Sequence, residues 1–223
     1  MIHNLLSRLG YGALSPVRNL MLVTFLSGPV LSGSALAEPV TIAALGDSLT
    51  QGYGLPVEEG LVPQLQQWLT AHGADVVMIN AGVSGDTTAG GLSRIDWTLT
   101  PEVDAVIVAL GGNDFLRGID PAVSRENLRG ILQTATDKGV RVLLIGLAVS
   151  TNYGPEYKRD FEAMYVDLAA EFGVPMIPNL LQAIDDAPGS PLDYAQADGL
   201  HPNATGVALI VEAIGPQVLA LAQ

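Results

Sequence analysis

Five short runs of apolar residues alternate along the chain with longer segments of helical periodicity, and this alternation constrains the fold more than any other feature. The runs are rich in valine and isoleucine and are apolar at successive positions, which is typical of strands buried on both faces of a parallel sheet. They comprise residues 40–45, 75–80, 105–110, 141–147 and 174–177.

Four amphipathic segments predict helices at residues 58–72, 121–138, 156–172 and 204–221. Glycine follows each of the first three segments and Pro121 opens the second, as expected at the ends and starts of helices. Right-handed crossovers between parallel strands place helices on both faces of a sheet. The sequence therefore predicts an α/β fold, a three-layer α/β/α sandwich with a five-stranded parallel sheet in flavodoxin-like order.

The N-terminal segment has the composition of a secretory signal peptide. Arg8 and Arg18 precede an apolar run that closes on the small-residue pattern Ala35-Leu36-Ala37. A basic region, an apolar region and a small-residue cleavage site define such leaders. An uncleaved membrane anchor is the alternative, but serine, glycine and proline interrupt the run and no positive flank follows it. We expect a signal peptide at 1–37, one domain at 38–223, and an exported product, periplasmic or secreted.

The chain is strongly acidic, with 23 acidic against 10 basic residues and a net charge of −13. The leader contains two arginines and no acidic residue, so its removal makes the net charge −15. Such a charge disfavours nucleic acid and anionic membrane surfaces as partners. The chain contains no cysteine, which excludes disulfides and thiolate metal ligands.

Polar clusters follow three of the predicted strands. Gly46-Asp47-Ser48 follows the first strand, residues 81–86 follow the second, and Gly111-Gly112-Asn113-Asp114 follows the third. A further polar loop at residues 198–201 precedes the last predicted helix. Because ligands of open α/β sheets bind outside the carboxyl ends of the strands, we expect these four segments to meet at one site.

Ser48, Asp198 and His201 have the residue types of a nucleophile, an orienting acid and a general base. Only two histidines follow the leader, and His72 ends a predicted helix, where a cation is favourable for structural reasons. His201 is therefore the candidate base, and the spacing of three residues lets Asp198 accept its Nδ1 proton. The structural alternatives are a loop histidine that caps the last helix and an Asx-turn aspartate beside Gly199.

Hydrolytic acyl transfer also needs neutral donors aimed at the developing oxyanion. The candidates are the backbone N–H groups of Ser48 and Gly85 and the side-chain amide of Asn113. Each has a structural alternative, because glycine permits unusual backbone angles and asparagine caps turns. Asp47 is either a hydrogen-bonding scaffold for its loop or a charge that favours the N-terminus of the following helix.

Other functional motifs do not fit the sequence. The glycine-bearing segment 46–54 lacks the Lys-Ser/Thr pair of a phosphate loop and the G-x-G-x-x-G of a dinucleotide-binding fold, so we expect no cofactor. Asp185, Asp186 and Asp193 lack further ordered ligands, which indicates a solvated loop and no metal site. Ser48 also lacks the G-x-S-x-G elbow, which disfavours the usual α/β-hydrolase fold.

Four segments together resemble the sequence blocks of the SGNH, or GDSL, hydrolase superfamily. They are Gly46-Asp47-Ser48-Leu49, Ser84-Gly85-Asp86-Thr87, Gly111-Gly112-Asn113-Asp114 and the run from Asp198 to Asn203, and they span nearly the whole domain in order. Within the superfamily, the chain is most similar to the periplasmic arylesterase, acyl-CoA thioesterase I and lysophospholipase L1 group, which also has the segment Asn152-Tyr153-Gly154.

The resemblance implies that Ser48 is the nucleophile, that Asp198 and His201 are its partners, and that Ser48, Gly85 and Asn113 form the oxyanion hole. It also implies broad substrates, which include aryl esters, short-to-medium acyl esters, acyl thioesters and lysophospholipids. The fold and the reaction implied by the resemblance agree with those inferred from the residues alone.

The loops around the predicted site determine the substrate. Ala148 and Ser150 depart from the pattern of the group, in which we expect arginine and proline, so the acyl-chain preference of the group does not carry over. Residues after the third and fourth strands are candidate substrate-binding residues, with ordinary loop packing as the alternative. They are Phe115, Leu116, Val149, Asn152 and Tyr153.

We therefore predict a serine esterase that hydrolyses carboxylic esters through an acyl-enzyme on Ser48. Its expected partner is a small-molecule ester or a lipid, with transient lipid contact, and its expected state is a monomer or a weak dimer. A carbohydrate or peptidoglycan O-acetylesterase is an alternative that would use the same residues. A non-catalytic exported binding protein is a further alternative, against which the intact set of Ser48, Asn113, Asp198 and His201 argues.

Overall fold

The computed structural model describes residues 38–223, so the predicted leader lies outside the described residues. The strands are β1 (Val40–Gly46), β2 (Val76–Gly82), β3 (Ala105–Ala109), β4 (Arg141–Ile145) and β5 (Met176–Ile177). They form a parallel sheet in the order β2-β1-β3-β4-β5, which confirms the flavodoxin-like order. The predicted strand ends differ from these bounds by at most two residues.

Helices connect the strands and cover both faces of the sheet. They are α1 (Ser48–Gln51), α2 (Leu61–Ala71), α3 (Thr88–Thr98), α4 (Gly112–Leu116), α5 (Pro121–Asp137), α6 (Pro155–Phe172), α7 (Gln182–Asp185) and α8 (Ala204–Leu221). Short 3₁₀ turns at Val57–Glu59 and Pro191–Tyr194 complete the described secondary structure. The longer helices α5, α6 and α8 lie where the sequence predicts them.

Alternate side chains of the strands enter two hydrophobic cores, one on each face of the sheet. In β3, Val106 and Val108 pack in the core covered by α3, α5 and α6. Ala105 and Ile107 of the same strand pack in the opposite core, covered by α2 and α8. This arrangement is the predicted three-layer α/β/α sandwich, and it holds the carboxyl ends of the strands in a fixed frame for the loops that follow them.

Helix α8 is the one helix of residues 38–223 that is long and apolar enough to cross a membrane. Its apolar side chains instead fill the core on its face of the sheet, where Ile210, Val211, Ile214 and Val218 are buried. Burial of such side chains against a sheet contributes about 1.5–3 kcal/mol each. The composition of α8 is therefore accounted for by core packing.

Strand β2 does not have the burial predicted for it, because it is an edge strand. Val77 and Ile79 remain 45% and 39% exposed. The amide of Gln66 on α2 covers the free backbone edge: its Oε1 accepts from the Met78 N–H at 2.8 Å and its Nε2 donates to the Val76 carbonyl at 3.0 Å. A side chain thus replaces part of the missing neighbour strand.

The structure contains a helix, α3, that the sequence does not predict. Gly90 and Gly91 lie in its interior, and glycine disfavours helix formation by about 1 kcal/mol relative to alanine. Packing explains the glycine at position 91, because a Cβ there would lie 2.2 Å from Cδ1 of Leu110. The Thr87 side chain caps the helix by accepting from the Gly90 N–H. Tertiary packing thus overrides the local propensity.

Candidate active site

Ser48 lies at the carboxyl end of β1, which lies between β2 and β3 in the sheet, and is the first residue of α1. Asp47 caps this short helix, since its Oδ1 accepts from the Leu49 N–H at 3.0 Å. Gly46 permits the close turn between strand and helix, because a Cβ at this position would lie 1.9 Å from Oγ1 of Thr50. Ser48 is 9% exposed, so its hydroxyl is held at the base of an open cleft.

A tight loop brings Asp198 and His201 to this hydroxyl. Asp198 Oδ1 accepts from the backbone N–H groups of Leu200 and His201 at 2.9 and 3.0 Å, and Gly199 adopts φ of +66° in the turn between them. Asn203 then caps α8 by accepting from the Gly206 N–H. These contacts fix the loop against the last helix, so the three-residue spacing aims both functional side chains inward.

The three side chains form a hydrogen-bonded series. His201 Nε2 lies 2.9 Å from Ser48 Oγ, and His201 Nδ1 lies 2.7 Å from Asp198 Oδ2. The His201 backbone N–H, the imidazole and the Leu200 N–H together lower the pKa of Asp198 to about 2. The carboxylate therefore stays ionised and favours the tautomer with a proton on Nδ1, which leaves Nε2 free to accept the serine proton.

An aromatic ring that the sequence did not single out borders the imidazole. The ring of Tyr53 lies 4.8 Å from that of His201, between ring centroids, and is inclined to it by 39°. Tyr53 also lines the cleft. The sequence offers no signal for this contact, because Tyr53 lies in a turn 148 positions from His201 along the chain.

The candidate oxyanion donors lie around the same cleft. Ser48, Gly85 and Asn113 all line it, and Gly85 adopts φ of +80°, a conformation that favours glycine. Within the described residues, the N–H groups of Ser48 and Gly85 have no hydrogen-bond acceptor. The Asn113 amide donates to Asp47 Oδ2 at 3.4 Å. Two backbone donors and one side-chain donor are thus available beside the serine hydroxyl.

Asp47 therefore has two contacts in the site, to the Leu49 N–H and to the Asn113 amide. Burial raises the pKa of its carboxyl group, although the Leu49 N–H and the charge of His201 oppose the shift. Of the two alternatives predicted for Asp47, these contacts support the hydrogen-bonding scaffold for its loop. The carboxylate joins the loop after β1 to the helix α4 after β3.

Arg94 of α3 joins the ends of β1 and β2 beside the site. Its guanidinium donates to the carbonyls of Gly46 and Ala81 at 2.9 and 2.6 Å, and its Nε lies 2.7 Å from Asp86 Oδ2. The strand ends adjacent to Ser48 and Gly85 are thus linked by one side chain. The sequence does not predict this role of Arg94, because it does not predict helix α3, on which Arg94 lies.

The cleft has a volume of about 460 Å³, within the range of small-molecule sites. Of the predicted substrate-binding residues, Phe115, Leu116 and Val149 line it, whereas Asn152 and Tyr153 do not. The ring of Tyr153 packs edge-on against that of Phe115, with 5.7 Å between ring centroids, and Tyr153 is about half exposed. The cleft is also lined by three leucines that the sequence did not single out, Leu147, Leu181 and Leu200. Ala148 and Ser150, the two positions that depart from the family pattern, line it as well.

No group of three potential metal-ligating side chains occurs among residues 38–223. The three aspartates of the 185–193 segment accept hydrogen bonds from residues nearby along the chain. Asp185 accepts from Asn179, Asp186 accepts from Gln182, and Asp193 accepts from the Ser190 N–H.

A serine hydroxyl hydrogen-bonded to a histidine that is itself bonded to an aspartate, beside free N–H donors at the edge of a parallel sheet, is the arrangement typical of serine hydrolases. The chain belongs to the GDSL-like lipase/acylhydrolase family, whose sequence model matches residues 44–209. This assignment confirms the resemblance identified in the sequence.

Relatives in the same family agree in activity. The chain is 37% identical to esterase TesA of Pseudomonas aeruginosa, over 90% of this chain and 97% of the relative. It is 35% identical to an arylesterase of Vibrio mimicus, over 91% and 98%. It is 34% identical to thioesterase 1/protease 1/lysophospholipase L1 of Escherichia coli K12, over 80% and 83%. The protein is a serine ester hydrolase that acts on small-molecule esters.

Solved structures agree with the fold. The crystal structure of TesA superposes with a TM-score of 0.74 at 37% identity and covers 81% of this chain and 99% of the other. The structure of AlinE4, an SGNH-hydrolase family esterase, gives a TM-score of 0.69 at 42% identity and covers 82% and 97%. The α/β sandwich is therefore that of SGNH hydrolases.

Proposed function

We propose that Ser48, His201 and Asp198 are the catalytic residues and that the enzyme hydrolyses carboxylic esters through an acyl-enzyme on Ser48. The observation that supports this most directly is the pair of distances at His201, 2.9 Å from Nε2 to Ser48 Oγ and 2.7 Å from Nδ1 to Asp198 Oδ2. These are hydrogen-bonding distances for a nucleophile, a general base and its orienting carboxylate.

In the first half-reaction, Ser48 Oγ attacks the ester carbonyl while His201 Nε2 takes its proton. The oxyanion accepts hydrogen bonds from the N–H groups of Ser48 and Gly85 and from the Asn113 amide. His201 then gives the proton to the leaving alcohol, and the acyl group remains on Ser48. In the second half-reaction, water loses a proton to His201 and attacks the acyl carbonyl; His201 then gives this proton to Ser48 Oγ as the bond to the acyl group breaks, which releases the acid and restores both residues.

The apolar lining of the cleft supports aryl and short-to-medium acyl esters as substrates, with thioesters and lysophospholipids as further candidates. Phe115, Leu116 and Val149 surround a volume much larger than an acetyl group needs. The same observation disfavours the alternative of a carbohydrate O-acetylesterase. Small side chains at Ala148 and Ser150 leave room beside Val149 for the acyl chain.

Exposed apolar side chains at the mouth of the cleft support transient contact with lipid. Tyr53, Leu116 and Leu200 are each about half exposed and line the cleft. One chain contains every proposed catalytic and oxyanion group, which supports a monomer as the active unit. The basic and apolar leader supports export, with residues 38–223 as the mature enzyme.

The test is a series of p-nitrophenyl esters from acetate to laurate, with lysophosphatidylcholine and an acyl thioester beside it. We expect Ser48→Ala to lower kcat by about 10⁴-fold or more, and Ser93→Ala, at an exposed serine on α3, to leave it unchanged. Each methylene that enters the cleft raises kcat/KM by up to about fourfold, which corresponds to ~0.8 kcal/mol of burial.

Equal turnover by the wild type and Ser48→Ala would overturn the proposal. A maximum at acetate, with no turnover of longer esters, would instead favour the O-acetylesterase alternative. The dependence of turnover on leaving group and chain length thus identifies the substrate class, and the Ser48→Ala variant separately tests the nucleophile.

A further inference from the structure

Helix α4, which carries Asn113, is attached to the segment that carries Gly85 by a buried carboxylate. Asp114 is 0% exposed. Its Oδ2 accepts from the Thr88 N–H at 2.8 Å, and its Oδ1 accepts from the hydroxyls of Thr88 and Ser124 at 2.5 and 2.8 Å. Thr88 begins α3 and lies three residues after Gly85, so the carboxylate joins the residues next to both oxyanion donors.

Asp114 is a buried carboxyl group that has hydrogen-bond donors around it and, among the described residues, no cationic partner. No arginine or lysine of the described chain forms an ion pair with it. A buried carboxylate is costly unless hydrogen bonds replace its water. The three donors and the N-terminus of the 11-residue helix α3 supply this compensation. A leucine or valine at position 114 would fill the same space without the cost of burying a carboxylate. The hydrogen bonds of Asp114 therefore contribute something other than packing.

A second contact joins the same two segments on the solvent side. Arg117, at the end of α4, donates from Nη2 to the Gly85 carbonyl at 2.7 Å. Asn113 thus lies on a five-residue helix held at its middle by Asp114 and at its end by Arg117. Both contacts lead to the stretch from Gly85 to Thr88, one inside the protein and one outside.

We propose that Asp114 and Arg117 are positioning residues that hold the Asn113 amide and the Gly85 N–H at the separation required by the oxyanion. The inference rests on the proposed function, in which these two groups act as donors. The geometry matters because donors must lie about 2.7–3.1 Å from the developing charge, and a displacement of about 1 Å costs on the order of a hundred-fold in rate. The oxyanion forms only in the transition state, so loss of positioning lowers kcat and leaves KM nearly unchanged.

The test compares two hydroxyls that bond to the same carboxylate oxygen. Thr88→Val removes the donor from the Gly85 segment, whereas Ser124→Ala removes the donor from α5, which carries no oxyanion group. We expect Thr88→Val to lower kcat by about tenfold or more with KM changed less than about threefold, and Ser124→Ala to lower Tm with kcat retained. Arg117→Met lowers kcat by roughly threefold to tenfold, and Arg117→Lys restores part of it.

Asp114 itself gives a rescue series, because Asp114→Asn can bond to the Thr88 N–H and to both hydroxyls without charge, whereas Asp114→Ala cannot. We expect kcat to decrease from wild type to Asn to Ala. Equal loss of kcat in Thr88→Val and Ser124→Ala would overturn the proposal, because the carboxylate would then act through stability alone. An unchanged kcat in both Thr88→Val and Arg117→Met would overturn it as well.

A measurement without turnover separates this proposal from the proposed function. In a Ser48→Ala background, ¹⁵N relaxation of the Gly85 N–H and the Asn113 side-chain amide reports their mobility. Positioning by Asp114 predicts increased mobility of both groups in Thr88→Val and unchanged mobility in Ser124→Ala. Absence of Ser48-dependent turnover in the wild type would overturn the esterase proposal, while the relaxation data would still decide whether the two segments are held together.

Discussion

Two aspartates of one site show how surroundings determine the state of a residue. Asp198 is held by two backbone N–H groups and the imidazole, and its pKa is lowered to about 2. Asp47 lies in the floor of the cleft, and burial raises the pKa of its carboxyl group. Donors that stabilise an anion and burial that removes water act in opposite directions. The same residue type therefore bonds to an imidazole at one position and to an asparagine amide at the other.

The raised pKa of Asp47 predicts that replacing its carboxyl group with an uncharged one raises the stability of the protein and lowers its activity. An acid with a raised folded-state pKa destabilises the fold while it is ionised, and this penalty disappears as the pH falls through that pKa. We expect Asp47→Asn to raise Tm at pH 7, with a gain that shrinks at acid pH. The variant places an amide donor against the Asn113 donor, so kcat falls by about tenfold or more.

Thermal unfolding between pH 4 and pH 7, together with kcat for p-nitrophenyl butyrate, checks this prediction. Asp160→Asn, at an exposed position on α6, is the control and is expected to change neither quantity. A lower Tm for Asp47→Asn at pH 7 would show that the lost contact to the Asn113 amide contributes more than the burial costs.

At the scale of the element, the sheet edge and the helix α3 are determined by their neighbours. β2 has a strand-like apolar sequence, yet its outer side faces solvent because no strand follows it in the sheet. α3 has two interior glycines, yet it forms because Gly91 fits against Leu110 and Arg94 binds the ends of β1 and β2. In both elements the contacts made after folding override the local pattern.

The Gln66 amide predicts how the edge of β2 resists association. Gln66→Ala frees the Val76 carbonyl and the Met78 N–H for pairing with another chain. We expect a loss of about 1 kcal/mol in the free energy of unfolding and concentration-dependent association on mild heating. Light scattering of Gln66→Ala beside Gln133→Ala, whose amide bonds only within α5, measures this, and equal scattering by the two variants would refute the role of Gln66.

At the scale of the whole molecule, we predict separate roles for residues 1–37, as an export leader, and residues 38–223, as the enzyme domain. Removal of residues 1–37 leaves an acidic domain of net charge −15 that contains the complete site. We expect the chain expressed with its own leader to be recovered outside the cytoplasm with Glu38 as its first residue. Ala37→Phe is expected to retain the leader, because the cleavage site requires small residues. Intact mass of the exported fraction measures both, and an uncleaved wild-type chain would support the membrane-anchor alternative.

The sequence by itself determined the layers of the fold and predicted the proposed roles of Ser48, Asp198 and His201. Strand-like runs separated by helices permit few arrangements, and the polar segments after parallel strands must share one sheet edge. Only the tertiary structure decided which side chains hold that edge together. Arg94, Asp114 and Tyr53 act through partners that are distant along the chain or that lie on unpredicted elements, and hydrogen bonds of this kind have no periodicity to detect.

For the same reason, some of the predicted substrate-binding residues line the cleft and others do not. Phe115, Leu116 and Val149 line the cleft, whereas Tyr153 contacts Phe115 without lining it, although all four are apolar or aromatic residues in the segments that follow β3 and β4. Loop position along the chain specifies the neighbourhood of a side chain, whereas its direction depends on the backbone angles and packing of the folded loop. The sequence thus determined the reaction, and the tertiary packing of the loops determined the shape of the space in which it occurs.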